Sequence, residues 1–248
     1  MQGSGRDIGG SVKKMDIVKK MTSTIMSGDG QISKKETHVI SEHTLNVIIN
    51  EQFIYRLVCT NCHLKELVIG RLVTDGMIKK KDNISDVILC GNENEAQVLF
   101  NPDIPCVKIP SRDKLQKLPE CDLKSEWVFM LAEEFGHGAP IHDQTGASHI
   151  CILGRKGKIL FKAEDIGRHN AVDKAVGYAV LNDIPLSECM IFISGRVPVD
   201  MVEKVIAAGI PVLVSKSVPT AESVELAEEY NLKLICKAWP DQYEMFTN

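Results

Sequence analysis

The chain has 248 residues, 44% hydrophobic and 25% charged, with a formal net charge of −4. Such a length carries one large domain or two modest ones. The weakly negative balance argues against nucleic acid as the main partner, and no apolar run approaches the roughly 20 residues that span a bilayer.

Residues 1–36 read as a disordered or tag-like leader. Met1 to Gly10 is Gly-rich and polar and lacks the apolar segment of a secretory signal, which predicts a cytoplasmic protein. Residues 37–104 read as a small α+β domain. Thr37 to Thr60 is rich in β-branched residues with a turn at Asn50-Glu51, which predicts a pair of strands. Leu64, Leu67, Val68 and Leu72 then recur at helical spacing, with Gly76 as a stop. Short strands are predicted over Ile84–Leu89 and Ala96–Phe100. Residues 105–122 carry several prolines and scattered charges and read as a linker.

Residues 123–248 change rhythm. Leu123–Phe135 is an amphipathic helix, and two strands flank the turn Gly154-Arg155-Lys156-Gly157. A helix over Gly167–Asn182 places Ala171, Val172, Ala175, Val176 and Val180 on one side. Strand, helix, strand, helix and strand follow, through IFIS and VLVS, apolar throughout. That alternation predicts an α/β domain with a mostly parallel sheet buried on both faces.

In open α/β sheets ligands bind beyond the carboxyl ends of the strands. Three such ends here are polar. Asp165 precedes a helix whose start carries Gly167, Arg168, His169 and Asn170, which suits either an anion site or a capped helix with exposed charges. Ser194, Gly195 and Arg196 follow the strand IFIS, and Ser215 and Lys216 follow VLVS. Together the three ends predict a crevice for an anionic, phosphorylated ligand. Thr145, Gly146 and His149 precede the first strand of this half, and His149 titrates near neutral pH.

Eight cysteines are spread along the chain, and Cys90, Cys151, Cys189 and Cys236 sit in apolar runs that predict packing. Cys59-Thr60-Asn61-Cys62-His63 matches the haem-attachment pattern C-x-x-C-H. A redox pair at a helix start is a second reading, and two partly buried thiols at a strand–helix joint a third, which we favour.

The stretches Glu164 to Gly177, Ser194 to Arg196, Ala207 to Leu234 and Thr145 to His149 resemble the FdhD/NarQ family, accessory sulfurtransferases of formate dehydrogenase. CTNCHLKELVIGRLVTDGMI is similar to that family's Cys-Thr-Pro stretch and the helix after it. The resemblance runs from about Thr37 to Asn248 and implies a three-layer cytidine-deaminase-like core beside a smaller N-terminal domain. It implies sulfur transfer from a cysteine desulfurase, through a protein persulfide, to a bis-molybdopterin guanine dinucleotide cofactor, with GDP as its mimic. Formate dehydrogenase would be the client and a homodimer the assembly. The family's Gly-flanked sulfur-carrying cysteine motif is missing. By position Cys121 or Cys106 would carry the sulfur, and Cys59/Cys62 is not equated with the carrier pair. Lys237, Trp239 and Gln242 stand where the family has an arginine-bearing cofactor loop. A cofactor-binding chaperone without sulfur transfer is the alternative.

Overall fold

A computed structural model describes residues 17–101 and 115–247. Its first element is a hairpin of β1 (Val18–Met26) and β2 (Ile32–Ile40), turned at Gly30 with a φ of 83°. Most of this hairpin lies in residues 1–36, expected to be a leader, and β2 runs on to Ile40, inside the stretch expected as the N-terminal domain. Its residues alternate no buried face with a polar one, which is the usual strand signal.

β3 (His43–Ile49), β4 (Gln52–Cys59), β5 (Ile84–Cys90) and β6 (Glu95–Phe100) form a four-stranded sheet in the order β4-β3-β6-β5. The Asn50-Glu51 turn joins β3 to β4 with both residues at positive φ, the geometry of a tight hairpin. β3 buries its alternate residues Leu45, Val47 and Ile49 against α1 (Leu64–Thr74). Helix α1 is itself buried nearly all round, because α4 (Arg168–Leu181) covers its other side. The two helices touch through glycines. A Cβ on Gly70 would collide with the carbonyl of Asp173, and one on Gly177 with the carbonyl of Glu66.

The second sheet runs β12-β11-β10-β9-β7-β8, with β7 (His149–Arg155), β8 (Lys158–Asp165), β9 (Cys189–Ile193), β10 (Val212–Ser215), β11 (Lys233–Cys236) and β12 (Glu244–Met245). Only β9, β10 and β11 are parallel, and the other three pairings are antiparallel. The sheet is therefore mixed, not mostly parallel as the alternation of elements suggested. Hairpin β7–β8 needs no crossover, and β12 folds back on β11 over a short loop. Both faces are buried. Cys151, Leu153, Ile191, Ile193 and Leu213 face the layer of α4, α5 (Val199–Ala207) and α6 (Ala221–Glu229). Ile150, Ile152, Phe192 and Val214 face α2 (Ser125–Gly136). A short α3 (Pro140–Thr145) precedes β7.

One hydrophobic cluster runs from Leu45 and Val98 through α1 and α4 to Leu234. The core is thus continuous across the segment 105–122. Part of that segment lies outside the described residues. Its described end is not loose, since Leu118 is buried and its N–H donates to Tyr230 O. Among the described residues no helix is long and apolar enough to cross a membrane.

Candidate functional site

The amino end of β7 and the carboxyl ends of β8, β9 and β10 bring together residues more than 40 positions apart. Strand pairing sets His149 opposite Asp165 and Cys151 opposite Ile193, so His149 lies beside the Ser194 that follows β9. The Ser194 hydroxyl accepts from Ile150 N at 3.0 Å and stands 3.5 Å from His149 Nδ1. Gly195 leaves the space between: a Cβ there would lie 3.5 Å from His149 Nδ1 and 3.7 Å from Arg168 Cδ. Ser215 is fully buried, and its hydroxyl donates to Gly195 O at 2.7 Å, fastening β10 to this turn. Next to it, Lys216 Nζ stands 5.0 Å from the ring centres of both Phe135 and Trp239, two cation–π contacts. Ala238 N donates to Ser215 O and Trp239 N to Gln242 O, which ties the loop of Trp239 to the same strand end.

The electrostatics favour an anion. Arg168 Nε is buried without a hydrogen-bond partner, a cationic donor with spare capacity. His149 is held below the usual imidazole range, first by burial and then by the neighbouring Arg168 and His142 charges. At neutral pH the crevice therefore presents a neutral ring, a guanidinium and an ammonium, with Arg196 exposed at its rim and Trp239 45% exposed beside it. A phosphorylated ligand with a planar base fits this set.

Not every expected residue faces this crevice. Asp165 is fully buried: Oδ2 accepts from Thr60 N, Thr60 Oγ1 and Lys174 Nζ, and Oδ1 from Gly167 N and Asn170 Nδ2. Asn170 spends its other contact on Val58 O. Both hold α4 to β4 and offer a ligand no free donor. His169 turns to the opposite side, where Nε2 lies 3.3 Å from Asp200 Oδ2 on α5. Thr145 donates to Ile141 O and Gly146 caps α3 in the left-handed region with a φ of 63°. Lys237 is paired with Glu244 at 2.9 Å, and Gln242 is exposed.

The cysteines divide in the same way. Burial pushes the Cys59 and Cys236 thiols up to about 12, Cys189 to about 11, and Cys151 higher still. Cys151, Cys189 and Cys236 pack as sequence suggested, while Cys90 is only half-buried. Cys121 packs against the cluster under α2, and burial raises its thiol more than Lys233 lowers it. Cys106 lies outside the described residues.

Two participants escaped sequence reading. Lys174 is a lysine on the apolar side of a helix, between Ala171 and Ala175, and that placement was a usable signal for a buried ion pair. Phe135 closes an ordinary amphipathic helix and carries no such mark.

Fold and site together define an α/β protein whose central sheet gathers cationic and polar side chains at one set of strand ends. The sequence profile of the FdhD/NarQ family matches residues 40–105 and 104–248, and the chain belongs to that family. It is 31% identical over 218 residues to Protein FdhD of Methanocaldococcus jannaschii, covering 86% of this chain and 89% of that one. With the Sulfur carrier protein FdhD of Bacillus subtilis it shares 28% identity over 249 residues, 88% of this chain and 92% of the relative. A crystal structure from Desulfotalea psychrophila, described as that of a formate dehydrogenase accessory protein, superposes with a TM-score of 0.84 at 26% identity, over 94% of this chain and 98% of that one.

Proposed function

We propose that this chain is a sulfur carrier of formate dehydrogenase maturation, working in the cytoplasm, where thiols stay reduced. It receives sulfur from a cysteine desulfurase and serves a bis-molybdopterin guanine dinucleotide cofactor held in the crevice. The single observation that carries the reading is Arg168 Nε, buried and unpartnered at the mouth formed by His149, Ser194 and Gly195. An unsatisfied buried donor is costly unless a ligand completes it. In this reading Arg168, Ser194 and Arg196 take the phosphates, Lys216 adds charge, and Trp239 stacks on the base. The cofactor, when bound, supplies the molybdenum centre that accepts sulfur. The central sheet with helices on both faces agrees with a cytidine-deaminase-like core, and a homodimer belongs to the same reading.

The raised Cys121 thiol, packed against the core, favours a second reading: a cofactor chaperone without sulfur transfer. The deciding experiment places the chain in a strain that lacks its own family member and reads formate dehydrogenase activity. Restored activity is the expected outcome. A folded, expressed chain that restores nothing overturns both readings.

A further inference from the structure

Cys62 carries a half-buried thiol that plays no part in the crevice. It is half-buried, just ahead of α1, and its Sγ lies 3.6 Å from Lys174 Nζ and 3.4 Å from Thr60 Oγ1. Lys174 is fully buried, so its ammonium is fixed in place and little screened by water. No side chain caps α1, whose residue before the first turn, His63, is held in the left-handed region. The positive end of that helix therefore faces the turn that carries Cys62. Asn61, one residue away, is 6% exposed, and its Oδ1 is buried without a hydrogen-bond partner. A fixed cation and a helix start thus stand beside one half-buried sulfur, and the next residue in the chain holds an unfilled acceptor.

The same cluster reaches the crevice. Lys174 Nζ binds Asp165 Oδ2 at 2.6 Å, and Asp165 Oδ1 accepts from Gly167 N at 2.9 Å, the residue before Arg168. One carboxylate therefore links the lysine beside Cys62 to the start of the helix that bears the unpartnered guanidinium. Among the other described cysteines, five have thiols raised by burial. Cys90 ends β5, the edge strand of the other sheet.

The geometry points to Cys62 as the sulfur-bearing residue of this chain, with Lys174 steadying negative charge on the sulfur. The inference rests on the sulfur-carrier reading and moves the cargo away from Cys121. In the step, the Cys62 sulfur attacks the outer sulfur of a donor persulfide, R–S–SH. The donor S–S bond breaks as the new one forms, giving Cys62–S–SH. The donor leaves as R–SH, taking the proton that Cys62 gives up, so no oxidant or reductant is consumed.

The test loads the full chain with glutathione persulfide and maps added sulfur on each cysteine peptide by mass spectrometry, for the native chain, Cys62→Ser and Cys121→Ala. The expected result is sulfur on Cys62, loss of most bound sulfur in Cys62→Ser, and full loading in Cys121→Ala. Sulfur confined to another cysteine, or loading of Cys90 equal to that of Cys62, overturns the assignment and leaves the carrier reading standing. Sulfur on no cysteine overturns both.

Discussion

The start of α4 holds two polar clusters that share neighbouring residues and have opposite states of completion. On the inner side, Asp165, Lys174, Thr60 and Asn170 close on one another, and five donors converge on a single carboxylate. On the outer side, Arg168, His149 and Ser194 gather about Gly195, and Arg168 Nε is left without a partner. Both clusters contain cationic and amide or hydroxyl side chains of the kinds that bind phosphates, but the inner one already closes on the Asp165 carboxylate. Only the outer one has donors left over. A buried ion pair completed by hydrogen bonds is a structural joint, whereas an incomplete set of donors at a strand end is a site.

The largest effect should come from breaking the inner cluster. Lys174→Met strands the Asp165 carboxylate in the core, and removing one partner of a buried pair typically costs about 3–5 kcal/mol. Denaturant unfolding should show that loss, and an unchanged midpoint would mean the joint carries no such weight. The outer cluster should respond in the reverse manner. Arg168→Ala is expected to weaken GDP binding by about tenfold or more, the range of a charge-assisted hydrogen bond, with little change in unfolding midpoint. Arg168→Lys should rescue poorly, because an ammonium lacks the guanidinium fork.

Helix contact sharpens the inner side further. Gly70→Ala drives a methyl group into the Asp173 carbonyl and should cost about 1–3 kcal/mol, read by chemical denaturation. The smallest effect concerns pH. His149 is neutral at pH 7 in the free chain, because burial and Arg168 lower its proton affinity. A bound diphosphate raises that affinity, so binding takes up a proton and GDP should bind more tightly as pH falls from 7 towards 5.5. His149→Gln should flatten that slope in a calorimetric titration, and an unchanged slope would remove His149 from the site.

Much of the fold was legible because burial writes itself into period. The succession of β9, α5, β10, α6 and β11 follows from fully apolar strands between amphipathic helices, and the Asn50-Glu51 turn from its position between β-branched runs. Hairpin β1–β2 was not legible, since strands exposed on both faces have no apolar alternation to find. The hairpin of β7 and β8 was legible from its turn, but the antiparallel pairings of β7 with β9 and of β12 with β11 escaped because order along the chain does not give strand direction. For the candidate site, sequence placed these polar residues beside the ends of strands, where the structure has them, but not their directions. Successive residues of a helix turn through about 100°, so Arg168 faces the crevice, His169 faces Asp200, and Asn170 points inward. Nothing in the residue types separates the three.

The most direct measurement is a calorimetric titration of GDP into the native chain and Arg168→Ala at low salt, with unfolding midpoints taken on the same samples. Binding by the native chain and at least tenfold weaker binding by the variant at an equal midpoint are expected. Equal affinity in the two proteins, or no binding by a folded native chain, would contradict it.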